Sequence, residues 1–222
     1  MDIIEQIRKR QAESNLPDSH PLPDHKPEML YIGCVDARLA IDSDIGIPKS
    51  KAMIFRNIAA LVPKYTSNRS SLKKSDKLLR GKIPQDVGIG AVLEFYINEL
   101  PYERGKIKKI AIAGHTNCGG LRACQCGHDA KNKDLSLYLH ALKEAHGRIN
   151  NQAKTEGWSE TKTLRELEKE SVRQSIANLL EYPAVKKAIK KKKLEIHGWL
   201  IDTATQRIFE MNPATLEFES MV

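Results

Sequence analysis

The sequence of 222 residues is poor in aromatic side chains: two Trp, six Tyr and four Phe make up 5% of it. With so few rings and no RNP-like pattern, stacking platforms for single-stranded nucleic acid are not expected. Long apolar runs are missing as well. No stretch approaches the ~20 residues that a membrane-spanning helix needs. The opening residues, Met1 to Arg10, have no apolar core flanked by positive charge, as a secretion signal would. Together these absences point to a cytoplasmic protein with no membrane partner. Cysteine is scarce, at four residues. In a chain of this kind four cysteines favour metal binding or catalysis over disulfides. There is no internal repeat.

What is present suits one packed domain. Hydrophobic residues make up 41% and charged residues 29%, an ordinary balance for a globular chain. The formal charge is +8, which raises the question of a polyanionic partner. Most of the excess lies in two runs, Lys64 to Lys82 and Lys186 to Lys193. Runs of this type read as solvated faces, so a nucleic-acid partner is not expected.

The hydrophobic pattern predicts an α/β fold: a mainly parallel central sheet flanked by helices, with an N-terminal helical arm and a C-terminal β-hairpin. Residues 1–28 form the arm, with helical spacing over Ile3–Ala12 broken by the prolines that follow. Residues 29–222 form the single domain, with a basic insertion near 64–86. Strands are expected at Met29–Gly33, Ala52–Phe55, Lys109–Gly114, Leu194–Ile201 and Arg207–Met211. Helices are expected over Val87–Leu100, Leu135–Ile149 and Leu164–Leu180, the last stopped at Pro183. Two of the buried strands run directly into reactive residues: Cys34-Val35-Asp36-Ala37-Arg38 and His115-Thr116-Asn117-Cys118-Gly119-Gly120. Parallel sheets gather ligands beyond the C-terminal ends of their strands, so both segments face one crevice.

Zinc takes soft or borderline donors in a tetrahedron, and three protein ligands leave one vertex for water. Cys34, His115 and Cys118 offer that set. A bound zinc ion makes a hydroxide available near neutral pH. Two thiolates cancel the formal charge of the ion, so its water should be less acidic than at an all-histidine site, and Arg38 is the natural source of compensating positive potential. If Arg38 also clamps Asp36, the carboxylate becomes a fixed acceptor for the hydroxide hydrogen. Cys124 and Cys126 read as spare thiols, since Cys-x-Cys is a poor match to structural zinc spacing.

These residues resemble the β-class carbonic anhydrase family over about Lys26 to Glu219. The likeness rests on Cys34-Val35-Asp36-Ala37-Arg38, on His115 to Gly120, on Arg56-Asn57-Ile58-Ala59-Ala60-Leu61-Val62-Pro63, and on Ser171 to Ile176 with His197-Gly198-Trp199. The resemblance implies zinc-dependent, reversible hydration of CO2 to bicarbonate and a proton through zinc-bound hydroxide. It assigns zinc to Cys34, His115 and Cys118, the dyad to Asp36 and Arg38, and a substrate contact to the Gly119 amide. It further implies an apolar slot for CO2 lined by Met53 and Ile58, with Phe95 supplied by a neighbouring subunit of a homodimer or homotetramer joined through the arms.

Two positions depart from the family pattern. His25 stands where plant-like members carry a substrate-binding glutamine, and Ala60 replaces an asparagine. An imidazole can also donate to substrate, so His25 is expected to bring its own pH dependence. Two other readings stay open on the sequence: a hydrolase of carbon disulfide or carbonyl sulfide on the same scaffold, and a non-catalytic zinc-stabilised binding protein.

Overall fold

The computed structural model describes residues 2–13, 26–41, 43, 45–48, 50–65, 87–99, 108–127, 132–191 and 193–221. The first apolar run forms β1 (Met29–Cys34). Its neighbour β2 (Ala52–Asn57) extends two residues beyond the apolar stretch, because Arg56 and Asn57 continue the ladder opposite Gly33 and Cys34. With β3 (Lys109–His115) and β4 (Glu195–Ile201) these make four parallel strands. Then β5 (Ile208–Met211) and β6 (Phe218–Ser220) add on antiparallel, giving the order β2-β1-β3-β4-β5-β6. The expected α/β sheet and C-terminal hairpin are present, with β6 as an additional strand.

The described residues form seven α-helices: α1 (Ile3–Ala12), α2 (Val87–Glu94), α3 (Gly119–Cys126), α4 (Lys133–Leu139), α5 (Lys143–Glu156), α6 (Glu160–Leu179) and α7 (Pro183–Lys190). Three expectations are corrected. The helix over 135–149 is two helices, interrupted by a 3-10 turn at His140–Leu142. The helix beginning at Val87 ends in a π-helical turn, Phe95–Glu99. Pro183 does not simply stop a helix. It opens α7, because a first-turn residue has no intrahelical acceptor to lose. Lys186, Lys187 and Lys190 then face solvent while Ala184 and Val185 are buried, so this basic run is the wet side of an amphipathic helix.

Alternation along the strands sorts the core. In β1 and β3, Leu30, Ile32, Ile110 and Ile112 point to one face and are fully buried with Leu93, Val172, Leu179 and Val185. Burying each such side chain contributes about 1.5–3 kcal/mol. The other face carries Tyr31, Ala111, Ala113 and Trp199, packed with Leu39, Leu61, Leu121, Leu142 and Leu167. The N-cap of α6 is Ser159, whose side chain accepts from the Lys162 amide at 3.2 Å. The helix then lays Leu164, Leu167, Glu168, Ser171, Val172, Ser175, Ile176 and Leu179 inward, a stripe polar in its middle. That middle passes under the C-terminal ends of the parallel strands.

No residue of α1 is buried. Residues 14–25 and 66–86, which hold the rest of the arm and most of the basic insertion, lie outside the described residues.

Candidate metal centre

Neighbouring strands in the sheet, β1 and β3, end side by side. Cys34 is the last residue of β1 and His115 the last of β3. Two residues later the chain turns through Asn117, whose φ of 56° is left-handed, and Cys118 becomes the N-cap of α3. The turn returns Cys118 to the strand ends, so the donor atoms of Cys34, His115 and Cys118 all lie within 4.8 Å of one another, and all three residues are buried. Among the described residues this is the only cluster of at least three potential metal ligands.

The donor set fits a zinc ion. Nδ1 of His115 donates to the Thr116 carbonyl at 3.0 Å, which fixes the tautomer and leaves Nε2 with its lone pair. Nε2 is buried and has no hydrogen-bond partner. A buried acceptor facing two sulfurs, with nothing to bond to, is what a ligand imidazole should be without its ion. The Cys118 thiol donates to Cys34 and holds its pKa well below the ordinary thiol value, and the same contact, with burial, pushes Cys118 up. Burial opposes the charged form of His115, but the Cys34 sulfur outweighs it and raises the imidazole pKa. A divalent cation replaces those protons.

Backbone and side-chain contacts hold the cradle from three directions. The Ala59 amide donates to Cys34 Sγ at 3.3 Å, from a tight turn in which Ala59 and Ala60 have φ of 61° and 53°. Left-handed backbone is uncommon for alanine and tolerated best by Gly or Asn, so these two consecutive alanines sit in a strained turn. The Arg56 guanidinium binds the carbonyls of Cys34 (2.7 Å) and Asp36 (2.6 Å), fixing the turn after β1. From α6, buried Glu168 accepts the Cys118 amide at 3.3 Å and pairs with Arg165 at 3.3 Å. Burial raises the Glu168 carboxyl pKa.

Asp36 and Arg38 form the expected pair. Oδ1 of Asp36 accepts from the Arg38 amide (3.0 Å) and Nε (2.8 Å), and Oδ2 from Nη2 (2.7 Å). Arg38 also donates to the Asn117 carbonyl at 3.0 Å, bridging the two ligand-bearing turns. The guanidinium holds the Asp36 carboxyl far below the usual carboxylate range. Its Oδ2 lies 3.8 Å from His115 Nε2, at the mouth of the cradle.

Gly119 begins α3 directly after Cys118. Met53 is half-buried on β2 and Ile58 is exposed just after it, lying against Gly120 so closely that a Cβ there would meet Ile58 Cγ2 at 2.5 Å. Phe95 is exposed and packs edge-on against Tyr96. His25 lies outside the described residues. Cys124 and Cys126 lie on α3, form no disulfide and are not part of the ligand cluster. No motif spacing pointed to Glu168. Its signal was the polar seam Glu168, Ser171 and Ser175 at helical spacing within an apolar stripe.

A family model described as carbonic anhydrase matches residues 29–208. The chain belongs to that family. Similar relatives are the β carbonic anhydrase 3 of Arabidopsis thaliana, 28% identical over 176 residues, and the carbonic anhydrase 1 of Escherichia coli O157:H7, 26% identical over 196. The matches take in 78% and 86% of this chain, and it spans 59% and 77% of those two proteins. Among solved structures, one of two tetrameric β-carbonic anhydrases from the filamentous ascomycete Sordaria macrospora is similar, with a TM-score of 0.65 and 26% identity. That likeness covers 85% of this chain and 82% of the other.

Proposed function

We propose that the chain is a zinc lyase catalysing the reversible hydration of CO2 to bicarbonate and a proton. The observation that carries this reading is a buried Cys-His-Cys trio with an ionised carboxylate at its mouth, both of whose oxygens are occupied by Arg38. A zinc ion on the trio supplies a polarising positive charge that brings water ionisation toward neutral pH. Asp36 accepts the hydrogen of the attacking oxygen and so aims a lone pair at the substrate carbon, and Arg38 keeps that acceptor ionised and in place. The Gly119 amide donates to a substrate oxygen, where negative charge grows as bicarbonate forms.

Met53 and Ile58 line the apolar slot, completed by Phe95 of a second copy, and His25 donates to substrate. CO2 has no net dipole, so a polar cavity would lose hydration without compensation. Exposed Ile3, Ile4 and Ile7 on α1, with Ile54 and Phe95 on the body, support a homodimer or homotetramer joined through the arms. The domain assignment follows: residues 1–28 as arm and 29–222 as catalytic domain. Four cysteines without a disulfide suit the reducing cytoplasm, and no helix among the described residues is long and apolar enough to cross a membrane.

Stopped-flow CO2 hydration by the zinc-loaded protein tests the reading. Proton release proportional to zinc content is expected. Sulfide release from carbonyl sulfide or carbon disulfide without CO2 hydration, or no turnover of any of them, would overturn it.

A further inference from the structure

A cleft of about 730 Å³ lies on the far side of the Cys118 turn, between α3, α5 and α6. Its size is that of a small-molecule site. Three cations converge on it from three different helices: Arg122 from α3, Lys154 from α5 and Arg165 from α6. Arg165 is held by Glu168 at 3.3 Å, and that carboxylate also accepts the Cys118 amide. Among the described residues, Arg122 and Lys154 have no carboxylate partner. Glu160 is the other acidic residue on the wall, and Trp158, with the Lys162 ammonium 4.3 Å over its ring, also lines it.

We infer that this cleft binds a small organic or inorganic oxyanion, carboxylate or phosphate, at Arg122 and Lys154. Two cations with no carboxylate partner among the described residues, set on one concave wall, add their potentials, whereas the same cations on a convex face act separately. A guanidinium takes a carboxylate or phosphate through two parallel hydrogen bonds, the ammonium adds a second point of charge, and the indole accommodates the ligand's apolar body.

The same wall reaches the metal centre. Asn117, whose carbonyl accepts from Arg38, and Glu168 both line the cleft. An anion that draws Arg165 toward itself loosens Glu168, and with it the acceptor that fixes the Cys118 amide. This coupling to catalysis rests on the function proposed above; the binding itself does not.

Emission from Trp158 gives a local readout. The zinc-loaded protein is titrated at fixed ionic strength with inorganic phosphate in one arm and succinate in the other. A saturable change is expected with at least one of them at concentrations of about 1–10 mM, an ordinary range for a small charged ligand. Arg122→Gln and Lys154→Gln should each weaken it by about tenfold, the effect of one lost charge-assisted contact. Lys186→Gln, on the opposite helix layer, should leave it unchanged, and Trp158→Phe should abolish the signal. A response to one anion alone supports the site and names the ligand class. No response to either, or one unaltered in both cleft variants, overturns the inference. Binding without CO2 hydration would refute only the enzymatic reading.

Discussion

Replacing Asp36 with asparagine separates the chemical role of the carboxylate from its structural one. The aspartate accepts three hydrogen bonds from Arg38, two at Oδ1 and one at Oδ2. Asparagine keeps the two bonds accepted at Oδ1 but turns an NH2 group toward Nη2, so one charge-assisted bond becomes a contact between two donors. In a buried site that bond contributes about 1.5–3 kcal/mol. Here the Arg38 side chain is 50% exposed, and solvent screening reduces the cost to about 1 kcal/mol or less. The loss in rate should be much larger. Removing a positioned acceptor typically lowers turnover about 10²–10⁴-fold, equivalent to about 3–5 kcal/mol in the barrier. Stopped-flow hydration, zinc content by mass spectrometry and urea denaturation, measured on one preparation, read the three quantities together. Asp36→Asn should keep its zinc, lose little stability and lose most of its activity. Turnover within about threefold of wild type, with zinc retained, would refute the reasoning. Loss of zinc would refute it too, by making Asp36 a ligand.

Other substitutions address the scaffold and its electrostatics. Leu167 is completely buried, so Leu167→Ala should cost about 2–5 kcal/mol in urea denaturation; a cost below about 1 kcal/mol would contradict the packing described. Burial raises the Glu168 pKa, so the folded state holds that proton at higher pH than the unfolded chain does, and stability falls as pH rises from the unfolded carboxylate value through the folded one. Glu168→Gln should therefore gain stability relative to wild type as pH rises above the unfolded carboxylate value, about 4.3, and a difference independent of pH would reject this. A thiol reagent should label only Cys124 and Cys126 in the zinc-loaded protein and all four cysteines after chelation; labelling of all four with zinc bound would place the metal elsewhere.

The strands were legible because their apolar runs are bounded by charge and because two of them end in metal-binding residue types. Period-two alternation carries through to the two faces of the core, as Ile110 and Ile112 against Ala111 and Ala113 illustrate. The cradle was legible for a related reason: a parallel sheet aligns strand ends, so residues 81 apart in sequence, Cys34 and His115, must meet. Other features were hidden. The Gly119-Gly120 start of α3 looks like a loop, since glycine has weak helix propensity. Four consecutive lysines obscured α7, whose apolar face is only half of its pattern. Strand β6 has three residues, too few for alternation to register. Arg56 and Glu168 act through backbone groups of residues distant in sequence, and contacts of that kind leave no spacing to read.

The central claim is that two sulfurs and one imidazole nitrogen bind a zinc ion and leave one vertex to solvent. Zinc K-edge absorption on protein purified without added metal tests it most directly. The account predicts one zinc per chain, with two sulfurs at about 2.3 Å, one nitrogen at about 2.0–2.1 Å and one further light donor. That light donor should persist unchanged in Asp36→Asn. A shell with three or four sulfurs, a shell with none, or a protein that takes up no zinc would contradict the account.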